Sequence, residues 1–362
     1  MDERVELKPI AFSDLDGWMS DRHDEAFTAF QHTCRGQAAD GETPRPAGSL
    51  PGGFEAACEE ALSASGGLSR RSARQFFETH FCPHEVDEAG PGLLTSYYEP
   101  ELEASRVKTD EFTAPLYALP DDLVTGDDVD GSAERPDLEA FRRSDDGSLL
   151  QYFTRADINA GALDGRGLEL VWLRDPVDAF FVHIQGSTRV RFPDGSTARI
   201  GFAGKNGFGY TSVGRELLRE GQIAPTAADS ESIKSWMRAN PKLALRYKER
   251  NESFVFFREL TGLQDNLGPV GGEGVQLTAQ RSLAVDRSLY AYGLPFWIET
   301  ELPKRGREGG RFHNLMIAQD TGAAIKGAAR GDIFWGSGSS AGAFAGLVQV
   351  PGRFVVFLPC AR

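Results

Sequence analysis

Residues 315–346, LMIAQDTGAAIKGAARGDIFWGSGSSAGAFAG, decide the fold class that the sequence predicts. The apolar run at 315–318 is typical of a buried strand that delivers Asp320 at its end. The run at 333–335 predicts a second short strand just after Asp332. An acid at a strand end among glycines can face a groove, whereas Asp320 can equally cap a turn or a helix.

Asp332 is the stronger catalytic candidate because apolar residues flank it. Residues 333–335 are Ile, Phe and Trp, and desolvation by such neighbours raises a carboxyl pKa, which keeps a proton available near neutral pH. Two cations lie in the same stretch: Lys326 is in its interior and Arg330 is beside the acid. This pattern indicates acid–base chemistry.

Two tyrosines occur in a short predicted strand, residues 95–100 (TSYYEP). Tyr97 and Tyr98 point to opposite faces of an extended strand, so that one can pack in the core and the other can lie in a cleft. Aromatic faces stack on sugar rings, but both tyrosine rings can also pack in the core.

A glycine-rich loop, GKNGFGY at 204–210, precedes a predicted helix at 213–220 with Thr211 or Ser212 as its cap. The loop lacks the GKS/T spacing of a phosphate-binding P-loop, so the sequence predicts no nucleotide cofactor. The glycines also fit a structural turn with positive φ.

Other local patterns predict regular elements around this loop. Strands are predicted at four runs that alternate or are apolar: LELVWL (168–173), DAFFVHI (178–184), TRVRF (188–192) and TARIGF (197–202). Residues 193–195 (PDG) predict a hairpin turn between the last two runs. Helices are predicted at 21–34, with Asp21 or Ser20 as the cap, and at 54–63, 230–239 and 241–250.

The net charge of −14 disfavours binding to nucleic acid or to an anionic membrane surface. The four cysteines show no zinc-site spacing, and we expect neither a metal nor a cofactor. If the chain is exported, Cys34 and Cys58 are candidates for a disulfide between two N-terminal helices; the alternative is a pair of buried thiols.

The N-terminal residues MDERVELKPI are charged where a signal peptide has an apolar core, and no run of 18 apolar residues occurs. Taken literally, this pattern predicts a cytosolic protein.

Several motifs along the chain carry a resemblance to a known family and occur in that family's order: TSYYEPELEASR (95–106), HIQGS (183–187), AGKNGFGYTSVG (203–214), SFVFFREL (253–260), RSLAVD (281–286), AQDTGAAIKG (318–327) and RGDIFWGSG (330–338). By these motifs the chain resembles the lytic transglycosylase A (MltA) family, which has a three-aspartate (3D) module.

The resemblance implies a mainly β fold with flanking helices and a substrate cleft between two domains. Residues 1–102 and 258–362 are expected to form a discontinuous catalytic domain with N-terminal helices and a double-psi β-barrel. Residues 103–257 are expected to form an inserted β-rich domain.

The resemblance also implies non-hydrolytic cleavage of the β-1,4 bond between N-acetylmuramic acid (MurNAc) and N-acetylglucosamine (GlcNAc). Asp332 matches the family's catalytic acid/base, while Asp320 and Asp286 are expected to support it by holding the loop or Lys326 and Arg281. The expected substrate-binding residues are Tyr97, Tyr98, Gln185, Ser187, Lys205, Asn206, Tyr210, Lys326 and Arg330.

On location, the resemblance overrides the N-terminal pattern, and we expect the periplasm or outer membrane of a Gram-negative cell envelope. The expected partner is the peptidoglycan glycan strand, with envelope proteins left open and a monomeric state predicted. Two rival hypotheses are a polysaccharide hydrolase on the same barrel and a noncatalytic peptidoglycan-binding protein.

Overall fold

The computed structural model describes residues 5–36, 44–64, 66–86, 90–125, 139–225, 229–305 and 308–360. The chain divides into two compact units, Met1–Tyr98 with Gly262–Arg362, and Glu99–Thr261. The helices are α1 (His23–Arg35), α2 (Phe54–Ser63), α3 (Arg70–His80), α4 (Arg155–Asn159), α5 (Pro176–Gln185), α6 (Val213–Arg219), α7 (Ser230–Ala239), α8 (Pro241–Arg250) and α9 (Gly338–Ala345).

The strands are β1 (Leu7–Pro9), β2 (Phe81–Val86), β3 (Gly92–Glu99), β4 (Glu101–Ser105), β5 (Ala114–Tyr117), β6 (Leu123–Thr125), β7 (Ala140–Arg143), β8 (Leu149–Gln151), β9 (Glu169–Leu173), β10 (Ser187–Arg191), β11 (Thr197–Lys205), β12 (Val255–Leu260), β13 (Ser282–Ala284), β14 (Pro295–Arg305), β15 (Glu308–Asp320), β16 (Arg330–Ser337) and β17 (Gln349–Pro359). Two short 3-10 helices, Phe12–Asp14 and Trp18–Ser20, precede α1.

Six strands of the first unit close into a barrel in the order β3, β17, β14, β15, β13 and β16, and β16 pairs again with β3. Strand β13 runs parallel to β15 and antiparallel to β16. Closure leaves the ring without an open edge, and β2 and β1 extend it outward from β17. The predicted mainly β fold with a barrel is confirmed.

The N-terminal helices share one apolar core with the barrel. Phe27 and Phe30 of α1 and Phe77 of α3 are fully buried in the same cluster as Trp297 and Val356 of the barrel strands. Truncating one such phenylalanine to alanine typically costs about 3–5 kcal/mol of stability, so the helices are part of the folding unit.

Two disulfides tie this unit together. Cys34 of α1 is bonded to Cys58 of α2, the bridge that the sequence left open, and Cys82 of β2 is bonded to Cys360. The second bridge was not predicted.

The second unit contains a six-stranded sheet in the order β12, β11, β10, β4, β9 and β5, and a separate sheet of β6, β7 and β8. The predicted hairpin turn at 193–195 joins β10 and β11. One prediction for this unit was wrong: the apolar run DAFFVHI (178–184) is not a strand but lies in α5. Asp175 caps α5 by accepting the N–H of Val177, and Pro176 occupies its first turn.

Candidate active site

The barrel brings the two acids of the 315–346 stretch to either side of one residue. Ala284 of β13 pairs with Asp320 of β15 on one side and with Asp332 of β16 on the other. Two strand spacings separate the two acids, so their backbones are about 10 Å apart. Sequence spacing alone gives no indication of this placement.

A β-bulge in β15 sets the position of Asp320. Leu283 pairs with Ala318, but the next residue, Ala284, pairs with Asp320 because the register shifts by one. The skipped residue, Gln319, is fully buried, and its amide donates to Ala29 O at 2.9 Å. Bulges re-aim side chains in this way, and here the bulge sends the amide into the core and brings the acid to the strand end.

The half-buried carboxylate of Asp332 has one hydrogen bond among the described residues, a 2.5 Å bond donated by the Thr95 hydroxyl to Oδ1. Arg330 Nη2 donates to the same hydroxyl oxygen at 2.9 Å, so Thr95 connects the cation to the acid. Burial raises the pKa of Asp332 to about 6, against the lowering effects of Arg330 and of the Thr95 bond; the Asp320 charge adds a smaller increase. Asp332 therefore holds a proton for part of the time near neutral pH, as the sequence predicted.

Asp320 is surrounded by hydrogen-bond donors. The Tyr97 hydroxyl donates to Oδ2 at 2.5 Å, and the N–H groups of Gly272 and Thr321 donate to Oδ1 at 2.7 and 2.8 Å. Arg45 Nη2 lies 3.3 Å from the same oxygen. Such a donor shell suits a carboxylate that accepts hydrogen bonds, and it fixes the side chain in place.

Asp286 follows β13 and holds the loop between the other two acids. It accepts the Gly327 N–H at 3.0 Å and the Ser288 hydroxyl at 2.6 Å, and Lys326 Nζ is 3.5 Å away. Burial raises its pKa, but these hydrogen bonds and the Lys326 charge outweigh burial and hold the pKa below its usual range. The expected role of holding the loop and Lys326 therefore has a structural basis.

The expected partner for Arg281 was wrong. Its guanidinium donates to Asp21 and Glu25 at 3.0 Å each and to Leu315 O at 3.0 Å, not to Asp320 or Asp286. Asp21 was also a predicted cap of α1, but Arg22 occupies that position and the Asp21 carboxylate is buried against Arg281.

The two tyrosines of β3 have different surroundings. The Tyr97 hydroxyl donates its hydrogen bond to Asp320, and burial raises the pKa of Tyr97 well above its usual value. The Tyr98 ring lies against Gly342 of α9, where an added Cβ would be 2.5 Å from a ring carbon. Gly342 is thus required for the close approach of the ring.

The expected substrate-binding residues of the second unit differ in burial and in hydrogen bonding. Asn206 is fully buried: its amide donates to Phe153 O and Glu252 O, and its oxygen accepts the Phe254 N–H. These bonds give it a structural role.

The other four residues have different surroundings. Lys205 forms a 2.6 Å ion pair with Glu139, and Ser187 is buried at the start of β10. Gln185 ends α5 and is half-buried, as is Tyr210, whose pKa burial raises.

In the part of the chain that the structure describes, no three His, Cys, Asp or Glu side chains are placed to hold a metal ion. A cavity of about 490 Å³ in the barrel unit lies around Glu299 and Arg353, and none of the three aspartates lines it. The candidate site is therefore defined by its acids and their hydrogen bonds, not by cavity size.

Comparison with known proteins places these residues in a family. Residues 93–258 match the MltA specific insert domain and residues 281–358 match the 3D domain. A crystal structure of a membrane-bound lytic murein transglycosylase from Agrobacterium tumefaciens is 36% identical, with a TM-score of 0.88 and 98% coverage of both chains. The chain belongs to the MltA family.

Two other relatives extend the comparison. Membrane-bound lytic murein transglycosylase A of Vibrio cholerae is 32% identical over 272 residues, which are 74% of this chain and 65% of that relative. The chain thus spans less than two thirds of the length of that MltA relative. A structure of Escherichia coli MltA with bound chitohexaose is 25% identical, with a TM-score of 0.67 and coverage of 100% of this chain and 96% of that one.

Asp286, Asp320 and Asp332, the three acids that the sequence singled out, all lie within the residues that match the 3D domain. The sequence did not single out Thr95 or Arg45. Thr95 is two residues before Tyr97 in the same strand, so alternation along β3 could have placed both on one face. Arg45 lies in a segment without periodic pattern, where the sequence carries no signal.

Proposed function

We propose that this chain is a peptidoglycan lytic transglycosylase that cleaves the MurNAc-β-1,4-GlcNAc linkage and leaves a 1,6-anhydromuramoyl end. The observation that carries the proposal is the half-buried Asp332 with its pKa raised to about 6, inside a 3D domain. An acid with a pKa near the working pH can both give and take a proton.

The proposed reaction needs one acid. Protonated Asp332 gives its proton to the glycosidic oxygen as the bond to the muramoyl C1 breaks, which releases the 4-hydroxyl of GlcNAc. The resulting carboxylate then takes the proton of the muramoyl C6 hydroxyl, and the C6 oxygen bonds to C1. The acid is regenerated and no water is consumed. Because the nucleophile belongs to the same sugar, proximity supplies much of the rate.

The supporting roles follow from the contacts. Asp320, held by four donors, fixes the end of β15 and the Gly272 loop, and Asp286 fixes the loop that carries Lys326 and Gly327. Arg330 and Thr95 position Asp332. Lys326 is largely exposed, which leaves its ammonium available for substrate.

We further propose that residues 1–102 and 258–362 form the catalytic domain and that residues 103–257 contribute to glycan binding. The chitohexaose in the E. coli structure, an oligosaccharide of β-1,4-linked GlcNAc, supports a glycan ligand for the family. In this proposal Tyr98, Gln185, Ser187, Lys205 and Tyr210 contact the glycan, whereas Tyr97 and Asn206 position their neighbours.

We also propose an envelope location. The relatives are named as membrane-bound, and peptidoglycan lies outside the cytoplasm. Both disulfides need an oxidising compartment to persist. No described helix has the length and apolar character needed to cross a bilayer.

The test is digestion of purified peptidoglycan followed by mass spectrometry of the released muropeptides, with Asp332→Asn as the matched inactive control. We expect products one water lighter than those of a hydrolase, without a reducible muramoyl end. Reducing-end products would establish hydrolysis with a second carboxylate and a bound water instead. Binding without any product would establish a noncatalytic glycan-binding protein.

A further inference from the structure

A second cavity, of about 330 Å³, lies within the unit formed by residues 99–261. Three basic side chains from three different helices line it: Arg155 of α4, His183 of α5 and Lys248 of α8. The remaining wall is mainly apolar and aromatic, with Phe180 and Phe254 among its members. Its volume is in the range of small-molecule sites.

Arg155 is a buried cation without a carboxylate partner among the described residues. Only 4% of it is exposed; its Nε donates to Asn251 O at 2.9 Å and its Nη2 donates to Ser253 O. Its guanidinium carbon is 5.0 Å from the ring centres of both Phe180 and Phe254. Among the described residues, Nη1 has no hydrogen-bond acceptor. A buried charge is normally paired, so this arrangement calls for an anion.

His183 adds a second donor. Its Nδ1 accepts the N–H of Val255 at 3.1 Å, so the ring proton resides on Nε2, which has no acceptor among the described residues. Burial, followed by the charges of Arg155 and Lys248, holds the pKa of His183 well below its usual value. The ring is therefore a neutral N–H donor at neutral pH.

Lys248 adds a third donor at the half-buried end of the cavity. Its Nζ donates weakly to Pro176 O at 3.4 Å, and its other two N–H groups have no acceptor among the described residues. Burial, and after it the charge of Arg155, lowers the pKa of Lys248. The charges of Asp175 and Glu249 raise it by less. The cavity lining contains one carboxylate, on the exposed Asp164, and it pairs with none of the three basic groups.

We propose that this cavity binds a small organic monocarboxylate, with the carboxylate on Arg155 Nη1, His183 Nε2 and Lys248 Nζ and the apolar part against Ala179 and Phe180. The mixed lining favours a carboxylate over inorganic phosphate. Phosphate is polar on every side, and the aromatic wall would leave some of its oxygens without donors. A carboxylate with an apolar substituent satisfies both parts of the cavity.

The experiment is calorimetric titration of the full chain with N-acetyl-D-alanine and, as the matched uncharged probe, N-acetyl-D-alaninamide. We expect the acid to bind at least about tenfold more tightly than the amide, because charge-assisted hydrogen bonds are the strong ones. Lys248→Gln should weaken binding of the acid about tenfold. Lys242→Gln, an exposed change on the same helix, should leave it unchanged.

A second arm separates two sources of the same chemistry. A muropeptide with a free stem-peptide carboxylate is compared with the same muropeptide as its terminal amide. This comparison distinguishes a carboxylate carried on peptidoglycan from one on a free small molecule. Preferential binding of the acid form, either of the muropeptide or of N-acetyl-D-alanine, supports the proposal. Equal binding of acid and amide, tighter binding of inorganic phosphate, no binding of any probe, or equal behaviour of Lys248→Gln and Lys242→Gln overturns it. Because the assay measures binding only, its outcome is independent of whether the chain cleaves glycan.

Discussion

Replacing Thr95 by valine tests whether the hydrogen bond to Asp332 sets the pH range of the proposed activity. Valine has nearly the shape of threonine but lacks the hydroxyl that donates to Asp332 Oδ1 at 2.5 Å and accepts from Arg330 at 2.9 Å. That bond favours the ionised carboxylate and lowers the pKa of Asp332. Its loss removes a stabilisation of the anion only, so the pKa of Asp332 must rise.

The expected size of the change follows from the value of such a bond. Hydrogen bonds to charged groups contribute about 1.5–3 kcal/mol, and about 1.4 kcal/mol corresponds to one pH unit. Starting from a pKa of about 6, the acidic form of Asp332 makes up about 9% of the enzyme at pH 7. A rise of one unit would bring it to about 50%.

The assay is the pH dependence of kcat/KM for release of muropeptides, because this parameter reports the ionisation of the free enzyme. The proposed reaction needs the protonated acid, so we expect activity to fall as pH rises through the pKa of Asp332. We expect Thr95→Val to move this alkaline limb upward by about one pH unit, while Thr95→Ser, which keeps the hydroxyl, leaves it in place. An unmoved or downward limb in the valine variant would refute the reasoning, whatever the change in maximal rate.

Three further variants test the remaining parts of the site and fold. Asp332→Asn should abolish turnover, yet at pH values above 6 it should melt at a higher temperature than the wild type, because the pKa of Asp332 is raised in the folded state and its ionisation destabilises the fold. This gain in melting temperature should vanish near pH 4, and a variant that melts lower than the wild type at pH 8 would contradict the prediction. Asp286→Asn should melt at a lower temperature than the wild type at pH 7, and this difference in melting temperature should shrink as pH falls through the lowered folded-state pKa of Asp286. A difference that does not change with pH would count against the stabilising role of its hydrogen bonds. Replacing Cys82 and Cys360 by serine opens a loop of 278 residues, and the chain-entropy model predicts a loss of about 5.6 kcal/mol in denaturant unfolding; a loss below about 1 kcal/mol would mean that strand pairing alone holds that edge.

Local signals account for the parts of the fold that the sequence predicted well. Helices Phe54–Ser63, Ser230–Ala239 and Pro241–Arg250 have the predicted bounds. Amphipathic spacing and a proline in the first turn mark such elements without tertiary information. The strand prediction for residues 178–184 was wrong because a short, continuous apolar segment fits a buried strand and a buried helix equally. The cap at Asp175 favours the helix.

The arrangement of the site could be predicted only in part, because it depends on pairing between distant segments. The sequence identified the three acids, but the placement of two of them on either side of Ala284 requires the bulge in β15 and the mixed pairing of β13. The bridge between Cys82 and Cys360 depends in the same way on strand register, since Leu358 of β17 pairs with Cys82 of β2. No local pattern encodes either contact.

The three aspartates show how one barrel gives the same side chain different roles. Asp332 is half-buried and has a single hydrogen bond within the described part of the chain, so desolvation dominates and its pKa rises to about 6. Asp286 is also buried, but donors from Ser288 and Gly327 reverse the effect. Asp320 receives four donors and so serves to fix backbone. The number of donors around each carboxylate, more than its burial, therefore separates the proposed proton-transferring acid from its proposed supports. Adding a donor beside Asp332 should reduce its capacity as an acid.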